Sequence, residues 1–196
     1  LLPAEHKFVG VNSPTDMLAF LGKKKLSDEG VANIFVNTLL DTVEKGFPEV
    51  AGFINDSPEF IRSPKVSSED YGRFLMISIA GNINGILEHF SEGHEKEIVR
   101  HIAEKFAVVF EMAPDKFAEL IKEYRQFMAR VNHPSKNTVY AMSKTVFYKY
   151  ELNDFQETYF RNLNTPNPIF LKNLDEIMKN FLWDWNAFTD KYKLVS

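Results

Sequence analysis

The sequence predicts an all-α fold, a single domain of seven or eight helices packed around one buried helix. Three observations predict it. Phe74–Leu87 is a run of about fourteen residues without a charge, and a helix that is apolar nearly all round is a buried one. Elsewhere, apolar residues recur at helical spacing in segments divided by Pro- and Gly-bearing breaks. Finally, no segment alternates for long with period two, and no Asn-Gly or Asp-Gly pair stands between two alternating runs, so hairpins are not expected.

The elements follow in order. Ser13-Pro14-Thr15-Asp16 reads as a helix start, with Ser as cap and Pro in the first turn, and that helix ends near Gly22. Lys23-Lys24-Lys25 then supplies cations near a helix C-terminus. Ser27 opens the next helix, with Val31, Ile34, Phe35, Thr38, Leu39 and Val43 at helical spacing and Gly46 as its stop. A short helix is expected to start at Pro48 and to carry Phe53. Residues 55–67 hold Pro58, Pro64 and several Ser, and read as a loop.

The central helix lies within Ser68–Phe90. Gly81 and Gly85 share one of its faces, where a partner could approach the backbone closely. A helix from about His94 to Met112 carries Ile98, Ile102, Phe106 and Val109. Pro114 begins the next, with Phe117, Leu120, Ile121, Tyr124, Phe127, Met128 and Val131 on its stripe, and His133-Pro134-Ser135 breaks it. Lys136–Leu152 is helical and Asp154–Leu163 is a short helix. Asn164–Pro168 is the most emphatic break. Beyond it, one long helix is expected over Ile169–Lys191, with Phe170, Leu174, Ile177, Met178, Phe181, Leu182, Trp185, Phe188 and Tyr192 along a broad apolar stripe. Residues 1–196 are therefore read as one domain, with 153–196 a C-terminal helical extension packed on it.

Composition narrows the function classes. The chain has 196 residues, 44% of them hydrophobic, with 18 Phe and a net charge of −4. That is enough apolar content for a real core and too little charge for disorder. The acidic balance argues against nucleic acid as a partner. With no Cys, disulfides, thiolate metal sites and cysteine nucleophiles are excluded, in keeping with a reducing cytoplasm as the expected location. No apolar run reaches the roughly 18–20 residues that span a bilayer, and the first residues lack the basic and apolar regions of a signal peptide. No nucleophile elbow or phosphate loop occurs, so an enzyme is not expected.

Two readings concern His101. On a helix, His94, Glu97 and His101 share a face and could hold zinc. A solvated face of ion pairs is the blander account of the same residues. Alternatively, His101 sits at the edge of the apolar stripe and could turn its ring into a pocket, as the proximal ligand of a haem does. Tyr71-Gly72 lies about thirty residues upstream, with Leu75 one turn further along the same face.

Here the chain resembles the globin family over residues 27–152. Phe47-Pro48-Glu49-Val50 with Phe53 looks like that family's short proline-initiated helix and haem-packing Phe. Tyr71-Gly72 falls at the distal position, His101 near the proximal one, and Ala113-Pro114-Asp115-Lys116-Phe117 looks like the start of the following helix. The resemblance implies a non-enzymatic haem protein for a diatomic gas. His101 would be the iron ligand, Tyr71 the donor to bound gas, and Phe53 and Leu75 the pocket walls. Tyr71-Gly72-Arg73 and Asp115-x-Phe117-x-Glu119-Leu120 also resemble the helical apoptosis-regulator family, which holds a partner's amphipathic helix in an apolar groove. The alternative function is accordingly a cofactor-free helical interaction or regulatory module, dimerising or docking a protein partner through the 169–192 stripe. Trp183 and Trp185 would be its first contact residues. The Phe content also admits a carrier of apolar ligands.

Overall fold

A computed structural model describes residues 23–195, and the helix expected over Ser13–Gly22 lies outside them. Lys24–Leu26 forms a short strand, β1. Ser27 then caps helix α1, Asp28–Asn55, its side chain accepting from the Gly30 N–H, with Asp28 and Glu29 in the first turn.

Helix α1 runs through both expected interruptions. Gly46 does not end it, and Pro48 lies in its interior. An interior Pro costs about 3 kcal/mol. Phe47, Val50 and Ile54 are fully buried on the stripe that Val36, Leu39 and Val43 began, and each such side chain returns about 1.5–3 kcal/mol. Burial outweighs the break. Gly46 is needed instead because the Phe181 ring lies on it, less than 3 Å from where a Cβ would stand.

Residues 56–71 are irregular where a loop is expected over 55–67. The Asn55 amide pins the loop by donating to the Val66 carbonyl (2.9 Å) and accepting from the Val66 N–H (2.8 Å). Helix α2, Gly72–His89, contains the uncharged run; every residue from Phe74 to Ile83 is buried, while Asn84 and Leu87 near its end are exposed. Its two facing glycines take side chains of other helices rather than a flat ligand: Met142 lies over Gly81 and Trp185 over Gly85.

Helices α3, Glu92–Val109, and α4, Pro114–Asn132, follow, then α5, Thr138–Lys149, and α6, Thr158–Leu163. Helix α4 packs against α2, α3 and α5. Val109 is largely exposed, so the α3 stripe ends at Phe106 and Ala107.

The last long helix is a correction. It divides into α7, Pro168–Met178, a 3₁₀ turn at Lys179–Phe181, and α8, Trp185–Lys191. The cause is Asn82, a polar residue buried in α2. Its amide donates to the Phe181 carbonyl and accepts from the Trp183 N–H, at 2.8 and 2.7 Å, and its own carbonyl takes the Trp185 Nε1–H at 3.2 Å. Backbone groups freed by the break are thereby satisfied inside the protein.

The extension is not an appendage. Phe170, Leu174, Met178 and Phe181 belong to the same core as α1 and α2. Gln156, fully buried, holds Thr165 and Asn167 through hydrogen bonds of 2.8 and 2.6 Å. Tyr192–Leu194 forms β2, which pairs in parallel with β1, Lys24 opposite Tyr192. Lys23 donates to the Thr189 carbonyl at 2.7 Å, placing a cation at the C-terminal end of α8. Eight α-helices and this one small strand pair make the described fold all-α. Among the described residues, no helix is long and apolar enough to cross a membrane.

Candidate functional site

The residues expected to hold a haem are not brought together. His101 is half-buried on α3, its Nδ1 3.3 Å from Glu104 Oε2 and its Nε2 3.1 Å from an Arg100 nitrogen. Both ring nitrogens therefore meet charged neighbours rather than an apolar pocket. The flanking residues His94 and Lys105 reach Asp28 and Glu29, in the first turn of α1. Tyr71 instead donates its hydroxyl to Glu44 (3.1 Å), sixteen residues further along α1, or about 24 Å at 1.5 Å per residue. That hydrogen bond is the main cause that raises the Tyr71 phenol above its ordinary value. Leu75 is buried in the core, and Phe53 is stacked on Phe170 at 5.5 Å. A porphyrin has no shared space among these four, and they do not fit a haem.

The zinc reading fails on the same helix. His94 bonds Asp28, Glu97 bonds Arg100, and His101 faces Glu104. Among the described residues, no group of three or more potential ligands is placed to hold a metal ion. The expected docking stripe is also spent. Phe170, Leu174, Met178, Phe181, Trp185 and Phe188 all point into the core, and both tryptophan rings pack on Phe35.

Two clefts lie on the flanks of α4. Towards α3 is a cleft of about 450 Å³, walled by Ile83 and Leu87 of α2, Val99 and Ala103 of α3, and Pro114 and Ala118 of α4. Charges stand on its rim, and the two cations of α3 are neutralised locally. Lys96 bonds Glu92 at 3.0 Å, while Arg100 bonds Glu97 at 2.7 Å and also Glu104. The Arg100 guanidinium holds the Glu97 carboxyl below its ordinary value.

Towards α5 is a second cleft, of about 460 Å³, and it is chemically different. Lys122 and Arg125 of α4 and Lys136 from the α4–α5 turn line it, with Asn84, Gln126, Asn132, Ser135 and Thr138 adding amides and hydroxyls. Among the described residues, no carboxylate or imidazole lines it, and none of the three cations is in an ion pair. Arg125 is half-buried. One of its terminal nitrogens donates to Asn84 Oδ1 at 3.0 Å, and its Nε is buried without a partner. Burial alone pulls its pKa down, as expected where no anion offsets desolvation. Asn132 also carries a buried, unpartnered amide oxygen.

The start of α5 completes this wall. Asn137 caps the helix by accepting from the Tyr140 N–H at 3.1 Å, and Thr138 in its first turn faces the cleft. Helix N-termini carry partial positive charge and favour anions. The arrangement can hold an anion with several oxygens. Sequence reasoning missed these residues, because Lys122 and Arg125 alternate with Glu119 and Glu123 along the chain and Lys136 lies beyond a break.

No family model matches the chain, nor does any curated protein or any solved structure.

Proposed function

We propose that the protein is a non-enzymatic, cofactor-free helical binding module. Its site is the cationic cleft between α4 and α5, and its ligand carries a phosphate-type dianion. One observation carries this reading: three cations without an anionic partner line one cleft of a chain whose net charge is −4. Like charges gathered without counter-ions repel one another, and an external anion relieves both the repulsion and the desolvation of Arg125. Arg with two Lys and a helix start suits tetrahedral oxyanions, since guanidinium offers a planar fork and ammonium a point charge. The haem reading has no comparable geometric support, and binding through the C-terminal stripe would need residues already used by the core.

Calorimetric titration with inorganic phosphate in low salt tests the proposal. Saturable binding is expected, weakening as salt rises because the cleft is open to solvent. Lys122→Ala and Lys136→Ala should each weaken it about three- to tenfold. Absence of binding in the unmodified protein, or binding by both variants as tight as by the unmodified protein, would remove the proposal. Titration with haemin should produce no band that His101→Ala abolishes.

A further inference from the structure

We infer that the anion is the head of an amphiphile, whose single apolar chain lies in the neighbouring cleft against α3. This rests on the reading of the cationic cleft as an anion site. Arg125 is, among the described residues, the side chain that lines both clefts. Their walls adjoin on both shared helices. On α2, Ile83 faces the apolar cleft and the next residue, Asn84, the cationic one. On α4, Ala118 and Lys122 are one turn apart on opposite sides of the junction, about 6 Å along the axis.

Charge sets the ligand's direction. Around the apolar cleft Glu95, Glu104 and Asp115 are matched by Lys96, Arg100 and Arg125, with Glu104 paired to Arg100, whereas the other cleft is lined by cations without acids and accepts the anionic head. Size selects a chain over a partner helix. A volume of about 450 Å³ holds roughly one turn of a helix 10 Å wide, too little for a docked segment, yet it lies within the range of small-molecule sites. Leu87 is 41% exposed at this cleft, so apolar surface remains for a chain to cover.

Calorimetry with inorganic phosphate, butyl phosphate, octyl phosphate below its micellar concentration, and octan-1-ol tests the inference. Octyl phosphate should bind at least about tenfold more tightly than inorganic phosphate, a gain that two buried methylenes already supply. Butyl phosphate should fall between them, and octan-1-ol should bind far more weakly than octyl phosphate. Ala118 is exposed, so Ala118→Trp should fill the apolar cleft without disturbing the core. In that variant the octyl gain should vanish while inorganic phosphate binds as before. Leu87→Gln, a second exposed position, should reduce the gain about threefold or more. Equal affinity for octyl phosphate and phosphate would overturn the inference and leave the anion site standing. So would an octyl gain that survives both substitutions. Octan-1-ol binding as tightly as octyl phosphate would overturn the joined-cleft arrangement. Failure of phosphate itself to bind would instead remove the underlying reading.

Discussion

The two flanks of α4 are built from the same helix, on the same central α2, and they treat charge in opposite ways. On the α3 side, Lys96 and Arg100 each have a carboxylate within reach, and the floor beneath them is aliphatic. On the α5 side, Lys122, Arg125 and Lys136 have none among the described residues, and the walls are amides and hydroxyls. Exposed helix pairs contribute little to stability and serve mainly to keep a surface soluble. Cations without carboxylate partners beside a half-buried guanidinium are not committed to any such pair. The difference separates charge already committed within the fold from charge available to something outside it.

The most damaging test removes the frame that both flanks share. Asn82→Ala deprives the Phe181 carbonyl and the Trp183 N–H of their amide partner. A cost of about 2–4 kcal/mol in urea unfolding is expected, since buried backbone groups are left unsatisfied. A loss below about 0.5 kcal/mol would mean that solvent replaces the amide and that Asn82 is no anchor.

A second test acts on one cation at a time. Arg125→Met should lower phosphate affinity about tenfold or more without lowering stability, because it removes a desolvated cation that has no ion-pair partner. Lys116 lies on the same helix but bonds Glu119 at 3.0 Å and lines neither cleft. Lys116→Met should change phosphate affinity by less than about twofold and stability by at most about 1 kcal/mol. Equal effects of the two substitutions would erase the distinction between committed and available charge.

The contrast also explains which parts of this molecule are legible in its sequence. The all-α class, the Ser27 cap and the breaks at His133-Pro134 and Asn164–Pro168 are local signals, and the structure shows each of them. Of the uncharged Phe74–Leu87 run it buries Phe74–Ile83 and Ile86 but leaves Asn84 and Leu87 exposed. Gly46-Phe47-Pro48 carries an equally strong local signal, yet α1 continues because Phe47, Val50 and Ile54 have a core to enter. The division of the last helix is not local at all. It depends on Asn82, about a hundred residues earlier, whose amide looks in sequence like an interruption of an apolar run. The cationic cleft is less legible still. Its charge emerges only when the turn after α4 brings Lys136 beside Lys122 and Arg125. The haem reading used true features, a half-buried His on α3 and a Tyr before α2, but their separation along α1 is invisible to spacing along the chain.

The smallest expected effect concerns an acid in the hollow beside the cationic flank. Asp175 on α7 lines a hollow that shares Asn132 and Ser135 with the cationic cleft. Its Oδ1 is buried without a hydrogen-bond partner, as is the Ser143 hydroxyl oxygen. Burial raises its carboxyl above the ordinary range, and the nearby Ser143 hydroxyl opposes the shift only in part. The folded state therefore disfavours ionisation. Below the ordinary carboxyl value, near 4, both folded and unfolded states are protonated and no penalty exists. As pH rises through the raised folded value, stability falls relative to an uncharged side chain. Asp175→Asn should match the unmodified protein at about pH 3.5 and exceed its Tm by about 1–2 °C at pH 7. Phosphate affinity should rise less than about twofold, because one solvent-screened negative charge near the anion is removed. A lower Tm for Asp175→Asn at neutral pH would show that the carboxylate is held by a stabilising partner. The α5 side would then contain a committed pair of its own, and the contrast between the flanks would be narrower than their linings suggest.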